Sequence, residues 1–390
     1  MSAAVATDGV IVLSGGTVYV SPSEAPLRDA VVLVRGREIA AVGRRGSVNV
    51  PSGAQVIDCS GRAITAGFWN SHVHFFQRKW ADAGAIPADE LDRQIQAMLT
   101  RYGFTSVFDL GSPGENTRRI RDRVESGEVP GPRIRTTGPA LLPPGLAPSD
   151  QVLNVLGFVR TPNLEVSTAA DAAAAARKVV EEGADAIKVH SLPDEAVIRA
   201  VVEEGRRVGR IVFSHPARDA AGLLAALKGG VDVLAHTTPT SGPWDEAILA
   251  AMKEKRVAVV PTLTIWRQLR RHDRVSAQDQ VTATITSQLR AWLAAGGTVL
   301  FGTDVGAVEP DPREEYRLMA ESGMTFPQIL ASLTTAPAER FGDSARLGRV
   351  APGRQADLVV LKGDPASDLS NLAAVELTLR AGRILYAAKP

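Results

Sequence analysis

Ala63-Ile-Thr-Ala-Gly-Phe-Trp-Asn-Ser-His72-Val-His74 is the stretch on which the reading of this chain turns. It begins as an apolar, β-prone run and ends in two histidines one residue apart. On an extended strand alternate side chains share a face, so the imidazoles of His72 and His74 converge on one point and form a candidate metal clamp. Zinc needs at least three protein ligands, so the pair gains force only if further donors follow in comparable places.

Working outward, residues 62–345 alternate apolar strands with helical segments, the pattern of a parallel sheet. Eight strands are expected, at 64–74, 105–109, 133–138, 186–190, 210–215, 233–236, 257–263 and 298–304. Between them run helices such as those beginning Ser167-Thr-Ala-Ala-Asp and Pro193-Asp-Glu-Ala-Val, with Ser167 and Asp194 as candidate caps or first-turn residues. Eight alternations over this length predict an α/β chain folded as a (β/α)8 TIM barrel. An open doubly wound sheet is disfavoured because no Gly-x-Gly-x-x-Gly follows an early strand. Both chain ends read differently, as short strands broken by turns, among them Val10-Ile-Val-Leu, Ala30-Val-Val-Leu-Val and Ala356-Asp-Leu-Val-Val-Leu. They predict one small β-sandwich-like domain built from residues 1–61 plus 346–390, with the barrel, 62–345, inserted between its halves.

A barrel places its chemistry at the C-terminal ends of its strands. His72 and His74 end the first expected strand, Lys188 lies in the fourth within Ala186-Ile-Lys-Val-His190, His215 ends the fifth, His236 the sixth and Asp304 the eighth. Four of the six histidines thus become proposed ligands, whereas His272, within Arg270-Arg-His-Asp-Arg, reads as a solvated surface residue. Singly, His215 or His236 would serve equally as a hydrogen-bonded core residue, and Asp304 near a glycine as a turn former. Taken with the paired histidines, the strand-end placement favours a metal site.

Composition narrows the classes. The chain has 390 residues, 45% hydrophobic and 22% charged, with Lys+Arg 44 against Asp+Glu 43. That balance provides no basic field for nucleic acid or an anionic membrane. The single cysteine, Cys59, excludes an internal disulfide framework and a thiolate metal cluster, so nitrogen and oxygen must hold any metal. No apolar run approaches a membrane span, and the first residues lack the pattern of an export signal, so a cytoplasmic setting is expected.

Gly67-Phe-Trp-Asn-Ser-His-Val-His, Gly183-Ala-Asp-Ala-Ile-Lys-Val, Phe213-Ser-His, Gly230-Val-Asp-Val-Leu-Ala-His, Gly302-Thr-Asp and Gly348-Arg-Val-Ala-Pro-Gly-Arg-Gln-Ala-Asp-Leu-Val-Val-Leu span nearly the whole chain. Jointly they resemble the amidohydrolase superfamily, specifically its imidazolonepropionase-like and prolidase-like members. The resemblance implies two divalent metal ions, zinc by preference. His72, His74 and Asp304 would surround one and His215 and His236 the other, with Lys188, carboxylated by carbon dioxide, and a hydroxide bridging them. A lysine inside an apolar strand must otherwise lose its charge or find an acid such as Asp109 or Asp304. The expected reaction is hydrolysis of an amide C–N bond in a small, partly apolar substrate, with Asp304 moving the proton to the leaving group.

His190 shares a strand face with Lys188 and either orients the substrate carbonyl or donates from behind the ligands. Asp109 is expected as a hydrogen-bond acceptor behind the site. Thr237, Thr238 and Thr264 are expected at the rim, and the loops beginning at Phe75, Pro139, Thr238 and Thr264 suggest a stiff, apolar pocket. Arg78, Lys79 and Arg218 are either partners for a substrate carboxylate or solvated charges. Prolidase-like relatives often carry a tyrosine-containing stretch after the fifth-strand histidine, whereas this chain reads His215-Pro-Ala-Arg-Asp, which disfavours dipeptide cleavage. The rival readings are a mononuclear deaminase of a heteroaromatic ring, an esterase or lactonase on the same centre, and a metal-free scaffold. Self-association into a homo-oligomer is compatible with a helical outer shell.

Overall fold

The computed structural model describes residues 9–215 and 219–389. Arg218 therefore lies outside the described residues.

One eight-stranded sheet gathers both ends of the chain. Its order runs Arg383–Ala387, Val375–Arg380, Leu358–Leu361, Ala63–Ala66, Val10–Val18, Leu27–Arg35 and Glu38–Arg44, and Gln55–Asp58 pairs with Val10–Val18 off this path. The strand containing Ala30-Val-Val-Leu-Val shows why its sequence lacks polar alternation. Ala30, Val32 and Val34 cluster with Leu13, Ile64 and Leu358, while Val31 and Leu33 cluster with Val12, so both faces are covered.

The expected single strand over 64–74 is two strands in two different sheets. Ala63–Ala66 runs antiparallel to Leu358–Leu361, whereas Phe68–Val73 runs parallel to Phe104–Asp109. Gly67 is the junction. Its N–H donates to the Asp357 carbonyl at 2.8 Å, and a Cβ there would lie 2.2 Å from Thr105 Oγ1, so only glycine fits. A boundary at residue 62 thus precedes a strand that belongs to the terminal sheet.

The middle of the chain forms parallel sheets flanked by helices. Phe68–Val73, Phe104–Asp109 and Arg133–Thr136 make a three-stranded sheet. A seven-stranded sheet runs Leu164–Glu165, Leu141–Leu142, Ile187–His190, Val212–His215, Val233–Ala235, Ala258–Val260 and Thr298–Val299. Its first two strands are short additions that the sequence pattern does not announce. The expected strand over 257–263 stops at Val260, because Pro261 has no N–H to donate and Thr262 takes φ 43°; Leu263–Leu269 is a helix. After Thr298–Val299 the chain runs beside Phe68–Val73. Ser71 N–H donates to Phe301 O (2.7 Å), Asp304 N–H to His72 O (2.9 Å) and His74 N–H to Val305 O (2.8 Å). On the opposite flank, Asp185 N–H donates to Thr136 O at 2.7 Å.

The helices follow their sequence signals. Glu195–Arg207 starts at Asp194, whose carboxylate accepts from the Ala196 and Val197 N–H groups, and it buries Val197, Ile198, Val201 and Val202 along one stripe. Ala169–Glu181 is capped by Thr168, one residue beyond the expected Ser167, because Thr168 and Asp171 exchange side-chain and backbone hydrogen bonds in a capping box.

Strand alternation separates structure from chemistry. Ile187, Val189, Val212 and Leu234 face the large cluster shared with the helices. Ala186, Phe213, Val233, Ala235, Ala258 and Val260 face a second cluster around Trp69, Phe108 and Phe341. Lys188, His190 and His215 follow the second parity, so they stand on that same side one step nearer the C-terminal strand ends.

Candidate metal centre and active-site cavity

Two short-range devices aim the first pair of histidines. The Asn70 amide donates to Thr303 Oγ1 at 2.8 Å and accepts the N–H groups of His72 and Thr303, each at 3.2 Å. Gly302 permits the close approach, since a Cβ there would fall 2.3 Å from Val260 Cγ1 and 2.9 Å from His72 Cβ. His72 Nε2 and His74 Nε2 are then 3.2 Å apart, and His74 Nε2 lies 2.7 Å and His72 Nε2 3.5 Å from Asp304 Oδ1. The ligand atoms of these three buried residues lie within 4.8 Å of one another.

The other expected ligands join them. His72 and His236 have ring centroids 4.7 Å apart, His236 and His215 4.6 Å, and His215 and His190 4.1 Å. His190 and His215 are register partners on adjacent parallel strands, which stacks their rings at 12°. His236 Nε2 lies 3.8 Å from Asp304 Oδ2. His72, His74, Lys188, His190, His215, His236 and Asp304 all line one cavity. His272 is exposed and hydrogen-bonded to Arg271, as a surface histidine would be.

The electrostatics suit a cation. Burial drives the imidazoles of His72 and His215 well below their ordinary pKa and that of His236 to about 3, leaving these rings neutral lone-pair donors. Burial works to raise the Asp304 carboxyl, but the histidines around it work the other way and prevail, His74 by a hydrogen bond to the carboxylate. Burial lowers Lys188 to about 8, with Asp304 working the other way. Converging neutral nitrogens around a buried carboxylate form a donor set that a divalent ion satisfies. Backbone strain sits at the same place. His236 (φ 125°), Thr262 (φ 43°) and Asp304 (φ 61°) occupy left-handed space that the surrounding contacts must hold.

Asp109 is not the partner of Lys188. Its carboxylate accepts from Ser112, Thr117 and Thr136, which places it behind the site as expected. Thr238 lines the cavity, whereas Thr237 gives its carbonyl to Trp266 Nε1 at 2.6 Å. Thr264 turns from the rim into a buried network. Glu315 accepts from the Leu263 N–H, the Thr264 N–H and the Thr264 hydroxyl, each at 2.8 Å, and so caps the helix Leu263–Leu269. The two carboxylate-binding candidates among the described residues are exposed, as solvated charges would be. Arg78 donates to Asn154, Lys79 lies over the Trp80 ring, and neither lines the cavity.

Thr262 is a candidate site residue that the sequence pattern misses, because it sits where a strand was expected to continue. Its hydroxyl pairs with His236 Nδ1 at 2.5 Å and fixes which ring nitrogen faces the cluster. Thr262→Val keeps the shape but removes the partner, so metal affinity measured by chelator competition should fall about 10-fold or more.

Glu315 gives a pH prediction. Burial raises its carboxyl from an ordinary 4.5 to about 7, so the folded state holds the proton more tightly than the unfolded state. Its contribution is fully present below about 4.5 and is lost as pH rises to about 7, on the order of 3 kcal/mol in all at 1.36 kcal/mol per unit. In denaturant unfolding, Glu315→Gln should lack that component. Parallel pH slopes in the two proteins would contradict the assignment.

The chain matches the family model described as Amidohydrolase family over residues 63–385. It belongs to the amidohydrolase family. This amidohydrolase is 27% identical over 403 aligned residues to an adenine deaminase of Rubrobacter xylanophilus, covering 97% of the chain but 59% of that relative. It is 27% identical to an imidazolonepropionase of Anaeromyxobacter dehalogenans, covering 95% of the chain and 93% of the relative. A crystal structure of a prolidase complexed with N-methylphosphonate-L-proline superposes with a TM-score of 0.78 at 27% identity, covering 97% of this amidohydrolase and 100% of that chain. No helix among the described residues of this amidohydrolase is long and apolar enough to cross a membrane.

Proposed function

We propose that this amidohydrolase hydrolyses an amide C–N bond of a small, partly apolar molecule. The observation that carries the reading is the meeting of His72, His74, Lys188, His215, His236 and Asp304 at one end of one cavity. In this reading the two parallel sheets form one closed (β/α)8 barrel, and the terminal sheet is a separate small domain. His72, His74 and Asp304 would hold one divalent ion and His215 and His236 a second, with a carboxylated Lys188 between, zinc being the metal best matched to neutral imidazoles. Such ions supply a Lewis acid for the carbonyl and make an attacking water acidic near neutral pH.

The chain's own groups do the rest. Lys188 Nζ, with its lowered pKa, has a neutral fraction whose lone pair adds to carbon dioxide with loss of a proton, giving a carbamate that accepts where the amine donated. Asp304 takes the proton of the attacking water and hands it to the departing nitrogen. His190, stacked on His215, orients the carbonyl oxygen. His190→Ala should therefore lower kcat by on the order of 10-fold, much less than loss of Asp304.

Metal analysis tests the proposal: about two ions per chain are expected. A carbamate adds the mass of one carbon dioxide, lost on acidification, and an unmodified Lys188 in metal-loaded protein would refute that part. The likeness to an adenine deaminase supports a second reading, deamination of a heteroaromatic ring. It would show as about one ion per chain and ammonia release from purines.

A further inference from the structure

We infer that the cavity selects substrates whose body is uncharged and apolar, and rejects those carrying a carboxylate; this rests on the hydrolase reading above. The cavity is about 660 Å³, sized for a drug-like molecule, and opens outward from the ligand cluster. Phe76, stacked on His74, and Trp266, edge-on to His236, form its inner collar. Leu142 and Phe158 continue the wall, and Leu156 and Leu269 carry it to the mouth at 53% and 65% exposure. An apolar surface that reaches solvent along the whole path gains most from an apolar occupant.

Positive charges are few among the described residues along this path. Among the described residues lining the cavity, the cationic side chains besides the histidines are Lys188 and Arg160. Lys188 is 3% exposed within the ligand cluster. Arg160 is paired with Asp150, its Nε donating to the carboxylate at 2.9 Å. With the scissile amide at the ligand cluster, a carboxylate elsewhere on the substrate would lie along the apolar wall, where among the described residues only Arg160 carries a positive charge, whereas Asn163 and Thr240 offer hydrogen bonds to a neutral amide edge.

The test compares two probes that differ in one group, 4-(hexanoylamino)benzamide and 4-(hexanoylamino)benzoate, on zinc-loaded enzyme. Amine release gives kcat/KM, and quenching of tryptophan fluorescence, with Trp266→Phe as control, gives Kd. The neutral probe should be preferred by at least about 100-fold in both. Leu269→Arg, at the exposed rim, should narrow the preference about 10-fold by supplying a cation. Equal or better binding of the benzoate overturns the inference, and so does absence of saturable binding by either probe. Preferential binding of the neutral probe without hydrolysis preserves the inference and removes the hydrolase reading instead.

Discussion

Asp304→Asn is expected to reduce kcat by at least about 1,000-fold while leaving the fold intact. The substitution keeps the size of the side chain, and asparagine tolerates the left-handed φ of 61° that Asp304 occupies. In the proposed mechanism it removes both the charge that would balance the cations and the basic oxygen that would accept the proton of the attacking water. Steady-state kinetics on the best amide, beside a melting curve, separates the two roles of the residue. Retained turnover in the variant would eliminate Asp304 as proton carrier, and a collapsed melting transition would show that the carboxylate is structural.

Lys188→Met should give two opposite effects. Metal content should drop from about two ions per chain to one or fewer, with hydrolysis falling on the order of 1,000-fold, because methionine could not supply the carbamate oxygens that the proposed centre requires. The metal-free variant should nevertheless be more stable than metal-free wild type. The folded pKa of Lys188 is lowered from 10.5 to about 8, so at neutral pH the wild-type fold keeps a proton that the unfolded chain holds more firmly. The resulting burden is on the order of 3 kcal/mol below pH 8 and is relieved as pH rises from about 8 to 10.5. Methionine fills similar volume without the amine, so chemical denaturation of the metal-free proteins at neutral pH should show the variant unfolding later. A less stable variant would mean that the amine is already satisfied where it lies.

The polar residues at strand ends were legible because period-two alternation fixes which side chains share a face. Ala186, Lys188 and His190 lie at every second position, and the structure sets them on one side. What alternation does not encode is where a strand stops. Ala63–Ala66 and Phe68–Val73 read as one run because both halves are apolar; their separation depends on Asp357 and Thr105, distant residues that meet Gly67. The run through Leu263 looked extended for the same reason, although Pro261 was a visible break. Thr262 and Glu315 were missed because their roles arise from contacts with His236 and with a helix start, far away in sequence. By sequence Arg78 is open between a substrate partner and a solvated charge, and the structure leaves it exposed with Asn154 as its hydrogen-bond partner.

The passage through Gly67 leaves no slack between the terminal sheet and the strand that carries His72 and His74. Pulling on Leu358–Leu361 is felt, through one peptide unit, by the segment that carries the paired histidines. The chain ends therefore act as an anchor for the reactive end of the molecule rather than as an appendage. Shortening the tail or grafting the central portion into another protein would loosen the aim of those imidazoles before it exposed any catalytic group.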